Sequence, residues 1–218
     1  MKGTFGSLAL VALFAAAVVA AAPMAATLPL VSDDEEYAVF GAVLFPNKPE
    51  IPANVQDEAL YMLKYRDRVR LDGIQGGPYM VAEGTARERR LEPRDAPEGR
   101  DASMLADYNA KNATPHRLDG AKLSRLGPTR YVTMIAEDEI ARLFGPGRGW
   151  EEFRQRFPFQ GGIVRFSRVG FNEDKTRAVV HVGCQADYEM GVAYLVFLEK
   201  STKTGNWLLL GTVLTRIS

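Results

Sequence analysis

The residues best suited to chemistry fall in three places along this 218-residue chain. Between Tyr61 and Leu71 the chain alternates, with Met62, Lys64, Arg66, Arg68 and Arg70 in one row. Tyr61, Leu63, Tyr65, Val69 and Leu71 form the opposite row, interrupted only by Asp67. Four cations in a row could receive phosphate, a sulfated glycan or an acidic polymer. The same row also describes a charged sheet edge that discourages strand addition. Further on, Asp187, Tyr188 and Glu189 share a turn-forming piece. Their two carboxylates could form a hydrolytic pair, or could be ordinary turn residues. Candidate ligand-binding residues are therefore Arg66, Arg68, Arg70, Asp187, Tyr188 and Glu189.

Nucleophiles are few. Cys184 and His181 lie three apart on one extended segment, and regular alternation sends them to opposite faces. A thiolate–imidazole pair would need His116 instead, or a bulge near Gly183. Packing as a small apolar residue is the simpler role for Cys184, though an exposed thiol could form an intermolecular disulfide. Two histidines and one cysteine are too few for a zinc site, so no metal is expected. Gly145-Pro146-Gly147-Arg148-Gly149 has the glycine content of a phosphate loop. It lacks the Lys-Ser/Thr ending of one nucleotide motif and the preceding strand of the other, so it reads as a helix stop and turn. No cofactor is expected.

Composition sets the frame for these groups. The chain carries 27 basic and 27 acidic residues and is 46% hydrophobic, enough for one domain with a real core. Balanced charge gives no reason to expect nucleic acid as a partner. Met1 to about Ala26 reads as a signal peptide: Lys2, an alanine-rich apolar run over Leu8–Ala22, then small residues before and after Pro23. Export to a periplasmic or extracellular space follows, and membrane contact would come only through that segment if it stayed uncleaved. Residues 30–218 are read as one domain, with a mobile loop or insertion at 72–100 containing at most a short ordered island near Tyr79–Val81.

The elements that must position the candidates follow from periodicity. Ser32 is the expected cap of a first helix, with Glu35 in capping-box position and the acidic run facing the positive end of the dipole. Tyr37, Phe40, Val43 and Leu44 then fall on its core face, and Pro46 stops it. Asp101 caps a helix reaching Asn112, where Asn112-Ala113-Thr114 also fits a glycosylation sequon. A short strand at Arg130–Ile135 and a helix at Ala136–Phe144 come next. Trp150, Phe153 and Phe157 form an aromatic stripe expected to lie across the terminal sheet. That sheet is an antiparallel meander of Gly162–Asn172, Arg177–Cys184, Val192–Lys200 and Trp207–Ile217, with Gly205-Asn206 in its last hairpin. The fold class is thus α+β: four terminal strands, one or two earlier ones, and about four helices. By analogy of architecture alone, this suggests NTF2-like or cystatin-like cones.

Gly149-Trp150-Glu151-Glu152-Phe153, Phe157-Pro158, Gly161-Gly162-Ile163 and Phe166-Ser167-Arg168-Val169-Gly170-Phe171-Asn172, with the terminal Ile217-Ser218, carry a resemblance. Over roughly Glu137 to Ser218 the chain resembles a group of uncharacterised exported bacterial proteins. Weaker likeness extends to Asp107–Asn112 and Glu36-Tyr37. Members often carry two cysteines in the loop where this chain has Cys184 alone, and here it departs from their pattern. The resemblance implies export and a compact α+β domain, and it brings no activity. On the residues alone, the expectation is a non-catalytic exported domain binding a partner or small ligand. A small hydrolase and a ligand-free envelope protein are the alternatives.

Overall fold

Why the last sixty residues form a sheet is visible in their side chains, which are rich in β-branched and aromatic types suited to a pleated, buried surface. A computed structural model of the chain describes residues 28–46, 71, 78–86, 90–95, 101–126 and 132–217. The expected signal segment, Met1 to about Ala26, and the cationic row with Arg66, Arg68 and Arg70 lie outside these residues. Seven strands are described: β1 Tyr79–Ala82, β2 Val132–Ile135, β3 Ile163–Phe166, β4 Gly170–Phe171, β5 Arg177–Asp187, β6 Met190–Lys200 and β7 Trp207–Ile217. They form one sheet in the order β2-β1-β3-β5-β6-β7, with β4 also paired to β5. Five α-helices accompany it: α1 Asp34–Leu44, α2 Ala102–Lys111, α3 Gly120–Leu123, α4 Glu137–Leu143 and α5 Trp150–Arg156.

The α+β architecture and the antiparallel terminal strands match expectation, with three refinements. First, β1 is not an island in a loop. It is an interior strand, parallel to both β2 and β3. Four residues with Met80, Val81 and Ala82 all buried have no alternation to read, so tertiary pairing makes the strand. Second, the expected strand Gly162–Asn172 is broken into β3 and β4 at Ser167. There the Ser167 hydroxyl accepts the His181 N–H at 2.9 Å, replacing a ladder carbonyl. Third, β5 and β6 extend further than expected, so that Asp187 pairs with Met190 and only Tyr188 and Glu189 turn the chain.

Helix α1 is capped by Asp33, not Ser32; the Asp33 carboxylate accepts the Glu35 N–H at 3.0 Å. A carboxylate does the same work as a hydroxyl and adds charge at the positive end of the dipole. Beyond the first turn, Tyr37, Phe40, Val43 and Leu44 are buried as the spacing requires. They meet Val164, Phe166, Val180, Val182, Val196 and Leu198 to form the core on one face of the sheet.

On the opposite face there are two cores. Under α2, Met104, Leu105 and Tyr108 pack on Val179, Leu195 and Phe197. Under α4 and α5, Leu143, Trp150 and Phe153 pack on Met80, Ala82, Ile135 and Ile163. The aromatic stripe therefore covers β1, β2 and β3, and leaves the later strands of the meander to α2. Asn112, the sequon asparagine, is buried with its amide donating to Arg168 O at 3.0 Å and accepting from Arg168 N at 2.7 Å. Folding closes it to glycosylation, because it stands in for the missing ladder at the β3–β4 break.

Candidate functional site

Two cores on one sheet face leave a gap between them. The gap is a cavity of about 640 Å³, bounded by Leu91, Tyr108 and Leu195 on the α2 side and by Ile140, Phe144, Trp150 and Ile163 on the α4–α5 side. Its floor is low because Gly183 on β5 sits opposite Ala193 on β6, two small residues side by side in strands otherwise filled with larger ones. Arg165 on β3 pairs with Gly183 from the other side.

Polar groups enter at defined points. His181 lies two residues from Gly183 on the same face, and its Nε2 is 2.9 Å from Thr215 Oγ1. Thr215 is the extra residue where β7 slips register against Ala193 and Tyr194, so a bulge brings it to the histidine. The Arg165 guanidinium is held by the Glu137 carboxylate. Its Nη1 donates to Glu137 Oε1 and, at 3.1 Å, to Gly84 O, while Nη2 donates to Glu137 Oε2 at 3.1 Å. Glu137 Oε1 also accepts the Gly84 N–H at 3.1 Å. An acid in the first turn of α4 thus anchors an arginine across the sheet.

The sequence-derived candidates separate here. Tyr188 stands at the cavity rim, 67% exposed, with its hydroxyl donating to Arg148 O at 3.3 Å. It lies over Gly149, where a Cβ would meet the phenol oxygen at 1.7 Å. Asp187 faces a neighbouring shallow cleft and is tied to Arg154 Nη2 at 2.5 Å. The Tyr188 N–H and then the Arg154 guanidinium hold the Asp187 carboxyl below the usual range, which suits a tether and not a general acid. Glu189 is exposed at the tip of the turn and does not line the cavity.

No family model, curated protein or solved structure matches this chain. Its function must be read from this geometry alone.

Cys184 borders the cavity, but alternation gives its side chain to the α1-side core, where it is 9% exposed. His181 stands with Gly183 on the cavity side. His116 lies elsewhere, its N–H donating to Thr85 Oγ1 at 2.8 Å. Burial pushes the Cys184 thiol up to about 11. Against an ordinary value of 9.0, that lowers the thiolate fraction at pH 8 roughly a hundredfold. Alkylation by iodoacetamide in the native protein should be slower than in urea by at least that factor, and disulfide-linked dimers should be absent from non-reducing gels. Native and unfolded rates within threefold of each other would contradict this placement.

Among the described residues no group of three His, Cys, Asp or Glu side chains is placed to hold a metal. Sequence reading named His181 and Tyr188, and Gly183 only as the place of a possible bulge, but passed over Arg165, Thr215 and Ala193. The one available signal was the glycine and alanine inside otherwise bulky strands, which mark a close approach or a hollow. Which strands pair to bring them together cannot be read from spacing.

Proposed function

We propose that this chain is a binding module that holds a small, largely apolar ligand between its sheet and helices α2, α4 and α5. The observation that carries this is the cavity floored by Gly183 and Ala193, whose volume and aromatic walls are those of a small-molecule site. Its wall is more apolar than polar, and the nucleophile candidates do not converge there: Cys184 faces the other core, and Asp187 is bound to Arg154. Leu8–Ala22 following Lys2, together with the resemblance noted above, supports a place outside the cytoplasm.

Filling the floor tests the reading. Gly183 is not among the positive-φ glycines, and a Cβ there would touch only Ala193 Cβ at 3.6 Å and Val192 O at 3.7 Å. Gly183→Leu should therefore fold normally while its side chain occupies the cavity. With 2-naphthalenemethanol as a neutral aromatic probe, calorimetry should show binding to the native protein and at least a tenfold loss in Gly183→Leu. Equal binding by both proteins would place the site elsewhere.

A further inference from the structure

Resting on the cavity reading above, we propose that the ligand is an organic anion, a carboxylate carried on an aromatic or aliphatic body, with Arg165 receiving the carboxylate. Among the described residues, no aspartate or glutamate lines the cavity, whereas Arg165 and Arg216 both do. The Glu137 carboxylate is bound to Arg165 itself. Two guanidiniums against one carboxylate leave the wall with one positive charge in excess.

Glu137 does not use up the arginine. A guanidinium has five N–H donors in a planar fork. Glu137 and Gly84 O take the end formed by Nη1 and Nη2, accepting both Nη1 hydrogens and one from Nη2. Among the described residues nothing takes the side edge, Nε–H with the second Nη2–H, and that edge matches the two oxygens of a carboxylate. Glu137 is then a positioning residue, fixing the plane of the guanidinium before any ligand arrives. The apolar body of the ligand would lie against Trp150, Phe144 and Tyr108, whose rings supply contact area at little entropic cost. Arg216, exposed at the rim on β7, adds attraction that salt should screen.

Calorimetric titration of the full chain with 2-naphthoate, 2-naphthalenemethanol and 2-naphthylmethylammonium tests this. The carboxylate should bind at least tenfold tighter than the alcohol, and the ammonium more weakly than either. Arg165→Met should erase the preference while leaving alcohol binding within about threefold. Because that variant leaves Glu137 without its partner, Arg165→Met with Glu137→Met is made alongside, and alcohol binding reports that the cavity survives. Glu137→Gln should keep the fold and loosen the arginine, lowering the carboxylate preference without abolishing it. An alcohol that binds as tightly as the carboxylate overturns this inference and leaves the cavity reading standing. If no probe binds, or if Gly183→Leu binds the carboxylate unchanged, both readings fall.

Discussion

Glu36→Ala should lower the unfolding free energy by about 3–5 kcal/mol, the usual consequence of removing one partner from a buried ion pair. Glu36 is 0% exposed, in the first turn of α1. Its carboxylate accepts from Arg168 Nη2 at 2.5 Å, from Arg168 Nε at 2.9 Å and from the Val169 N–H at 3.1 Å. Burial pulls the Arg168 guanidinium down, but the bonds and charge of Glu36 outweigh it and hold the group above its ordinary value. Without Glu36 that half-buried charge loses every hydrogen-bonded acid and keeps only the field of Asp107 and Asp33. The loss would be a large share of the roughly 5–15 kcal/mol that holds a typical domain together. Urea denaturation measures it. Replacing both partners, Glu36→Leu with Arg168→Met, should recover most of the deficit, since an apolar pair leaves no orphaned charge. A single-variant loss under about 1 kcal/mol would falsify the claim that this pair is desolvated.

Gly170→Ala is expected to cost about 3 kcal/mol, at the upper end for overpacking. A Cβ at Gly170 would lie 2.4 Å from Tyr108 Cβ, 2.6 Å from Met104 O and 2.7 Å from Tyr108 Cα. Two of these are backbone atoms and the third is fixed to backbone, so no rotamer change relieves the clash. Helix α2 has to retreat from β4. It would pull Asp107 from the Phe171 N–H, now at 2.8 Å, and strain the Asn112 bonds to Arg168. At roughly 2–4 °C per kcal/mol for a chain of this size, the melting point should fall by about 10 °C. Gly183→Ala serves as the control, because its new Cβ finds only ordinary contacts. If both variants melt together with the native protein, α2 does not sit on β4 as described.

These two residues show where sequence reading succeeds and where it stops. The alternation of Val192 to Lys200 and the cap at Asp101 were legible because each is decided within a few residues. The strand Trp207–Ile217 fell as expected for the same reason. Glu36 looked like one of several helix-start acids, and nothing nearby distinguishes it from Asp34, which stays near solvent beside Lys122. Its partner is 132 positions away. Gly170 looked like a strand residue, and its need for no side chain is imposed by a helix sixty positions earlier. The cavity was hidden for the same reason: Arg165, Gly183 and Ala193 come from three strands whose order has no local signature. Tyr79–Ala82 was underread because, covered on both faces, it has no polar side to mark its period.

Among the described residues, the longest hydrogen-bonded ties bear on when the fold can assemble. Glu35, in the first turn of α1, accepts from Trp207 Nε1 at 2.7 Å and from Lys200 Nζ at 2.7 Å. Helix α1 thus has two of its polar anchors 165 and 172 residues downstream. Interior strand β1 likewise waits for Ile163 before its second neighbour exists. Such long-range closures are slow to form. A nascent chain that has not yet reached Lys200 and Trp207 can therefore seat α1 against Asp119 and Phe166 but cannot tie off Glu35.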